Sequence, residues 1–320
     1  MSLPVAIDPG DVASLDELDD RELVALVTVH GAVHLRGFDA DGATLDSVSS
    51  RWCDRFTCDP GKVVIGGLRG TKGPIGRAAR VATRLAATAR KRPVDDPSAG
   101  DGGRARYAPF GGFGINPHTE NSFLPDAAPD LVWFACQFPA ESGGDSLLCD
   151  GADLLDRLDD DLDQFLRTTP IRYESTLTES QWRSVWSDGS ADELASRLNV
   201  EQGASVRVHE DHSVTVVFDS IQIGTSLGGR EAVRTNLLSR HPYDGIGRDH
   251  AERTADGKPV DRELLLRLLD ATRPQTAVRL EAGDLLVIDN SRVMHGRTPF
   301  GDERRRVITR CGWLRDGLLD

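Results

Sequence analysis

The sequence predicts a mainly β core flanked by helices, and three observations carry that expectation. Leu131-Val132-Trp133-Phe134-Ala135-Cys136-Gln137-Phe138 is an almost unbroken apolar run of strand length, as a strand covered on both faces requires. Toward the C-terminal end, 277–281, 284–289 and 305–314 follow one another as short apolar strands. At the opposite end, Leu15, Leu18, Leu23, Val24 and Val27 recur at helical spacing before Gly31, a helix stop.

A chain of 320 residues with ordinary apolar and charged fractions can bury a large core, and it reads as one domain. Its formal charge of −13 argues against nucleic acid as a partner. There is no apolar run of bilayer length and no start resembling a signal peptide, so a cytoplasmic protein without membrane attachment is expected. The five cysteines, Cys53, Cys58, Cys136, Cys149 and Cys311, lack the paired spacing of a zinc site or a disulfide framework and read as reduced core residues.

In chain order, Ala32-Val33-His34-Leu35-Arg36-Gly37-Phe38 is a short strand, followed by an amphipathic helix over about 44–56. His30 and His34 have no carboxylate at ligand spacing and are expected to be surface or packing residues. The stretch 62–92 carries nine basic and no acidic residues; it reads as a solvated helix over 75–90, with a lid or docking surface as the sharper alternative. A polar loop, 93–106, leads to Phe110-Gly111-Gly112-Phe113-Gly114, where the backbone can approach closely. After the apolar strand come a turn at Glu141-Ser142-Gly143-Gly144, a strand over 145–150 and a helix over 151–166 with a solvated acidic face. Short strands and polar loops over 171–259 suit an insertion that covers a site, and the leucine stripe of 260–272 is core packing.

The chemistry concentrates at Pro117-His118-Thr119-Glu120-Asn121. On a strand, side chains two apart share a face, so His118 and Glu120 can grip one ion. With His295 as third ligand they make the 2-His-1-carboxylate set that leaves positions open on Fe(II). Two other His-x-acid pairs occur. His209 with Asp211 lies between apolar alternations, a hairpin turn, and His250 with Glu252 has no apolar periodicity around it; both are expected to be solvated. In the last strand, alternation puts Arg306, Ile308, Arg310 and Gly312 on one face and Val307, Thr309, Cys311 and Trp313 on the other. A buried guanidinium requires an anion. The two arginines, about 13 Å apart, can serve two anions or two ends of one site.

Assembled, these residues resemble the Fe(II)/2-oxoglutarate-dependent oxygenases of the taurine dioxygenase (TauD/TfdA) family, with Glu120 similar to the clavaminate-synthase-like relatives. The resemblance runs through the 31–38 strand, the His118-Thr119-Glu120 pair, Gly143-Gly144-Asp145-Ser146 with serine for the usual threonine, and Gly283-Asp284 through His295-Gly296-Arg297. It implies a double-stranded β-helix, or jelly roll, assembled from about 30–40, 107–150 and 275–315, with a cover at 171–260 and a basic helix or lid at 62–106. It implies Fe(II) on His118, Glu120 and His295, and 2-oxoglutarate clamped by Ser146 and by Arg306, eleven residues after His295. Arg310 is then expected to meet an acidic group of the substrate, with Asn121 also on the substrate side. The implied reaction uses O2 to oxidise, most simply to hydroxylate, an unactivated C–H bond of a small anionic, amino-acid-like or natural-product molecule, phosphate-bearing or carrier-linked forms included. Desaturation, cyclisation and demethylation use the same ligands, and a non-catalytic metal-binding jelly roll is the rival of another class. The carboxylate at Glu120 argues against halogenation, for which the relatives have a small residue there.

Overall fold

Helix α1 (Asp20–His30) begins where the Asp19 carboxylate accepts hydrogen bonds from the amides of Arg21 and Glu22, and ends at Gly31 in the left-handed region, φ 81°. In this computed structural model, 3–10, 14–57, 106–107, 112–186, 189–247, 250–273, 276–302 and 304–319 are described. The basic stretch 62–92, most of the polar loop 93–106, and Cys58 lie outside the described residues.

Around α1 and α2 (Gly42–Trp52) run strands β1 (Val5–Ile7), β2 (Ala32–Leu35), β3 (Cys53–Thr57) and β4 (Arg106–Tyr107). Next come β5 (Ile115–His118), β6 (Leu131–Phe138) and β7 (Ser146–Asp150), then helices α3 (Gly151–Leu155) and α4 (Asp160–Thr168). The predicted 151–166 helix is thus two, because the Asp159 side chain caps Leu162 and starts a new one. The middle holds β8 (Ile171–Leu177), α5 (Glu179–Trp186), α6 (Ala191–Glu201), β9 (Ser205–Val208), β10 (Val214–Ser220), β11 (Ile223–Thr225), β12 (Glu231–Val233) and β13 (Arg253–Thr254). The chain closes with α7 (Arg262–Ala271), β14 (Thr276–Val278), β15 (Leu285–Asp289), β16 (Val293–Arg297) and β17 (Arg306–Leu314).

Two sheets stack. The larger has the order β1-β2-β15-β6-β17-β3, with β4 also on β17; the smaller is β14-β7-β16-β5. Strands from both ends of the chain interleave in each, as a jelly roll requires. Between the sheets lie Val132, Cys136, Leu286, Ile288, Val307 and Cys311 of the larger and Leu148, Val278 and Val293 of the smaller. The outer face of the larger sheet, with Trp133, Leu285, Val287 and Ile308, is covered by α1 and α2. The central strands are therefore buried on both faces, which is why β6 and β15 read as unbroken apolar runs.

The outer face of the smaller sheet, including Cys149 and Met294, packs against the cover, whose sheet runs β13-β8-β10-β9. Strand β8 alternates strictly, with Ile171, Tyr173, Ser175 and Leu177 buried. Fully burying a side chain of this size contributes about 1.5–3 kcal/mol, so the shared core fastens the cover firmly behind β16. Among the described residues the cysteines, Cys53, Cys136, Cys149 and Cys311, are all buried and free, and no helix is long and apolar enough to cross a membrane.

Candidate metal centre

Strands β5 and β16 pair with His118 opposite His295, which sets the two imidazole centroids 4.6 Å apart. That approach depends on Gly296, where a Cβ would stand 2.4 Å from the Ile115 carbonyl oxygen. Glu120 arrives differently from the period-two expectation, since β5 stops at His118 and Glu120 sits in the turn beyond. Its backbone is held by Asn290, whose Oδ1 accepts from the Glu120 amide (2.8 Å) and whose Nδ2 donates to the Glu120 and Pro129 carbonyls. Glu120 Oε2 lies 3.8 Å from His118 Nε2 and 3.5 Å from His295 Nε2, and the three donor atoms are all within 4.8 Å of one another.

The proton positions suit a metal. His118 Nδ1 donates to the Asn116 carbonyl at 3.0 Å, which leaves the Nε2 lone pair facing the gap. Burial raises the proton affinity of Glu120, but its two imidazole neighbours outweigh burial and bring the carboxyl down to about 2. Burial first, and then the neighbouring His118, hold His295 below the usual imidazole range, the direction that favours the neutral form a metal needs. Two imidazole nitrogens and one carboxylate, with Glu120 and His295 buried and His118 half-buried, fit a divalent iron with open positions.

Beside the triad the structure rearranges the predicted anion clamp. Ser146 and Arg297 pair across β7 and β16, two residues along from Leu148 and His295, and so share the inner face with His295. On β17 the inner face is that of Val307, Thr309 and Cys311: Thr309 pairs with Phe134, whose ring is 5.4 Å from His295. The arginine in that phase is Arg305. It donates to the Gly144 carbonyl at 2.9 Å and lines a small cavity with Cys136, Gly143, Gly144, Asp145 and Val307. Gly144, at φ 73°, admits it; a Cβ there would meet Arg305 Nε at 2.8 Å. Arg297 and Arg305 both lie against the Phe300 ring, 4.7 and 5.1 Å from its centroid. Burial pushes both guanidinium groups down, Arg297 to about 9 with Arg305 adding to the effect.

Arg306 and Arg310, expected at the co-substrate and the substrate, lie off the face of β17 that looks toward the triad. Arg306 is exposed, beside a bulge opposite Phe138. Arg310 is buried on the outer face: its Nη1 donates to the Asp46 carbonyl (2.9 Å), Ser49 Oγ (2.6 Å) and Ser50 Oγ (3.1 Å), pairs with Asp46 Oδ1 (3.2 Å), and its Cζ sits 3.6 Å from the Phe56 ring centroid. Its anion comes from α2 and not from a ligand. Asn121 is fully buried at φ 54° beside Glu120, and neither amide atom has a hydrogen-bond partner among the described residues.

Two other histidines have acidic partners of their own. His34 is buried, its Nε2 2.9 Å from Asp284 Oδ2, so Asp284 ties β2 to the turn before β15. His209 and Asp211 do form the turn between β9 and β10, but His250 and Glu252 are buried. The signals missed in sequence were Arg305, masked by two neighbouring arginines, and Asn290, whose amide function depends on a turn 170 residues from its partner.

The family model described as "Taurine catabolism dioxygenase TauD, TfdA family" matches residues 3–311. Pentalenolactone F synthase of Streptomyces arenae is 29% identical over 206 residues, 60% of this chain; the match spans 58% of that relative's length. Among solved structures, PvcB of Pseudomonas aeruginosa superposes with a TM-score of 0.55 at 15% identity, covering 98% of this chain and 88% of that one. AAD-2, solved with Mn(II) and N-oxalylglycine, superposes with a TM-score of 0.51 at 13% identity, covering 98% of this chain and 94% of that one.

Proposed function

The chain belongs to the TauD/TfdA family of Fe(II)- and 2-oxoglutarate-dependent dioxygenases, and from that premise we propose that it hydroxylates an unactivated C–H bond of a small natural-product intermediate. In this reading the whole chain is one cytoplasmic oxygenase unit with residues 171–260 as its cover. The observation that carries the site assignment is the convergence of His118, Glu120 and His295, with both Nε2 atoms near one ionised oxygen. The name of the Streptomyces arenae relative supports a natural-product substrate. An anionic substrate loses its main support, because Arg310 is satisfied by Asp46 and α2.

When bound, iron with 2-oxoglutarate and dioxygen supplies the oxidising power. The residues of this chain then bind, orient and exclude water. His118, Glu120 and His295 present one face of ligands. Arg305, aided by Ser146 and Arg297, takes the far carboxylate of 2-oxoglutarate; a planar guanidinium matches it in a way a lysine does not. Phe134 covers the edge of His295, and the Asn121 amide offers a donor and an acceptor to substrate.

The test is anaerobic addition of Fe(II) and then 2-oxoglutarate to the apoprotein, following the visible charge-transfer band of the chelate. Wild type is expected to show the band. R305A should weaken 2-oxoglutarate binding about tenfold or more, the worth of a charge-assisted hydrogen bond, and R306A should leave it within about twofold. The reverse order would return the clamp to Arg306.

A further inference from the structure

A second set of two imidazoles and a carboxylate lies in the cover. Glu252 Oε2 is 3.5 Å from His241 Nε2 and 3.4 Å from His250 Nδ1, and the side chains of Glu252, His241 and His250 are 6%, 4% and 8% exposed. Each of the three atoms is buried without a hydrogen-bond partner among the described residues. Buried polar atoms are rarely left so, and three that converge call for an explanation.

The far nitrogen of His241 distinguishes this set from a metal site. The Gly247 amide donates to His241 Nδ1 across 3.4 Å, so Nδ1 carries the lone pair and Nε2 carries the hydrogen, aimed at Glu252. An imidazole that ligates through Nε2 needs its hydrogen at Nδ1, where an amide donor would oppose it. The cluster is therefore built to hold protons.

It is also wired to the triad through one residue. Asn116 Nδ2 donates to the Leu238 and Pro242 carbonyls (3.2 and 3.1 Å), and its Oδ1 accepts from the Asp244 amide (2.9 Å). These contacts flank His241. The backbone carbonyl of the same Asn116 receives the His118 Nδ1–H. The side chain of Asn116 thus grips the loop of the cluster while its main chain orients the imidazole expected to hold iron.

We propose that His241, Glu252 and His250 form a proton-linked positioning device for His118. With the Glu252 carboxylate accepting between the two imidazoles, residues 238–247 and 250–252 are held, and Asn116 with them; added protons remove an acceptor or the Gly247 contact and loosen the seat of His118. The charged and titratable groups facing the set are Arg262 of α7, which donates to the Ile246 carbonyl, Arg253, which donates to the carbonyls of His250 and Glu252, and Arg240, Asp244 and Tyr173 of β8. Arg248 and Asp249 lie outside the described residues. The inference rests on the reading of His118 as an iron ligand.

The experiment is anaerobic Fe(II) titration, with the 2-oxoglutarate chelate band as second readout, from about pH 8 to about pH 5.5, across the usual imidazole range. It compares wild type with E252Q, N116A and the double variant. E252Q is expected to bind Fe(II) about tenfold more weakly near neutral pH, the size of an outer-shell effect, with a flatter pH response than wild type. N116A should do the same, and the double variant should be no weaker than N116A alone. H250Q serves in place of E252Q if that protein does not fold. Wild-type affinity and pH response in E252Q and H250Q, or additive losses in the double variant, overturn the inference. So does one Zn2+ equivalent retained by an H118A/H295A protein and lost on adding E252Q, which would make the cluster a metal site. A wild type that forms no chelate band sinks the iron assignment itself, an outcome distinct from the others.

Discussion

Within one chain, His118-Thr119-Glu120 and His250-Ala251-Glu252 have the same spacing, and each carboxylate has a second histidine brought to it by the fold, His295 in one case and His241 in the other. The two histidines of the first set stand on paired strands with their imidazole centroids 4.6 Å apart; the second set stands on loops with centroids 6.2 Å apart. The decisive difference is smaller still. A carbonyl oxygen faces Nδ1 of His118, whereas an amide N–H faces Nδ1 of His241. Which nitrogen keeps its lone pair, and so whether the set takes a metal or a proton, is decided by a backbone atom and not by residue type.

The comparison breaks most directly on metal affinity. H118A is expected to lose more than about a hundredfold in Fe(II) binding, while H241A, its counterpart in the cover, should lose about tenfold; equal losses in an anaerobic titration would erase the distinction between the sets. The same contrast of faces applies to the arginines of β17. R310A should cost about 3 kcal/mol of folding stability, because Asp46 and two serines of α2 lose their shared donor, yet leave the chelate band intact; chemical denaturation beside the band titration checks both halves. A smaller effect concerns the turn that carries Asn290. Burial raises Asp289 to about 6, against hydrogen bonds from Ser291 and Leu227 that pull it down. A carboxyl whose folded value lies above its unfolded one contributes its stability at low pH and loses it as pH rises through about 6. The wild type should therefore lose about 1–3 kcal/mol from this group between about pH 4 and about pH 7. D289N should flatten that slope in denaturation midpoints; an unchanged slope would place it elsewhere.

Much of the fold was legible because the central strands are covered on both faces and therefore read as continuous apolar runs, β6 above all. The candidate metal set was legible because few residue types can do that work, and because His118 and Glu120 stand two apart. The arginine of the proposed anion clamp was not. Period-two alternation sorted β17 correctly into two faces but could not say which one looks inward, since α2 buries the other just as well; Arg310 therefore looked like a ligand-binding residue and Arg305 went unnoticed. The burial of His250 and Glu252 was hidden for a related reason. Its cause lies in contacts with β8 and α7, and no local periodicity records them. His34 was read as a surface or packing residue because its acid, Asp284, is 250 positions away.

Gly296 has a consequence for ion choice. The absent side chain lets β16 lie against the Ile115 carbonyl, so the gap between the two imidazoles is set by main chain touching main chain, which is stiff, and not by side chains, which adapt. A methyl group at that position would pry the ligand strands apart and enlarge the bite of the pair. The smallest residue in the motif thus acts as a calliper, and the range of ionic radii the pocket accepts is written in what Gly296 leaves out.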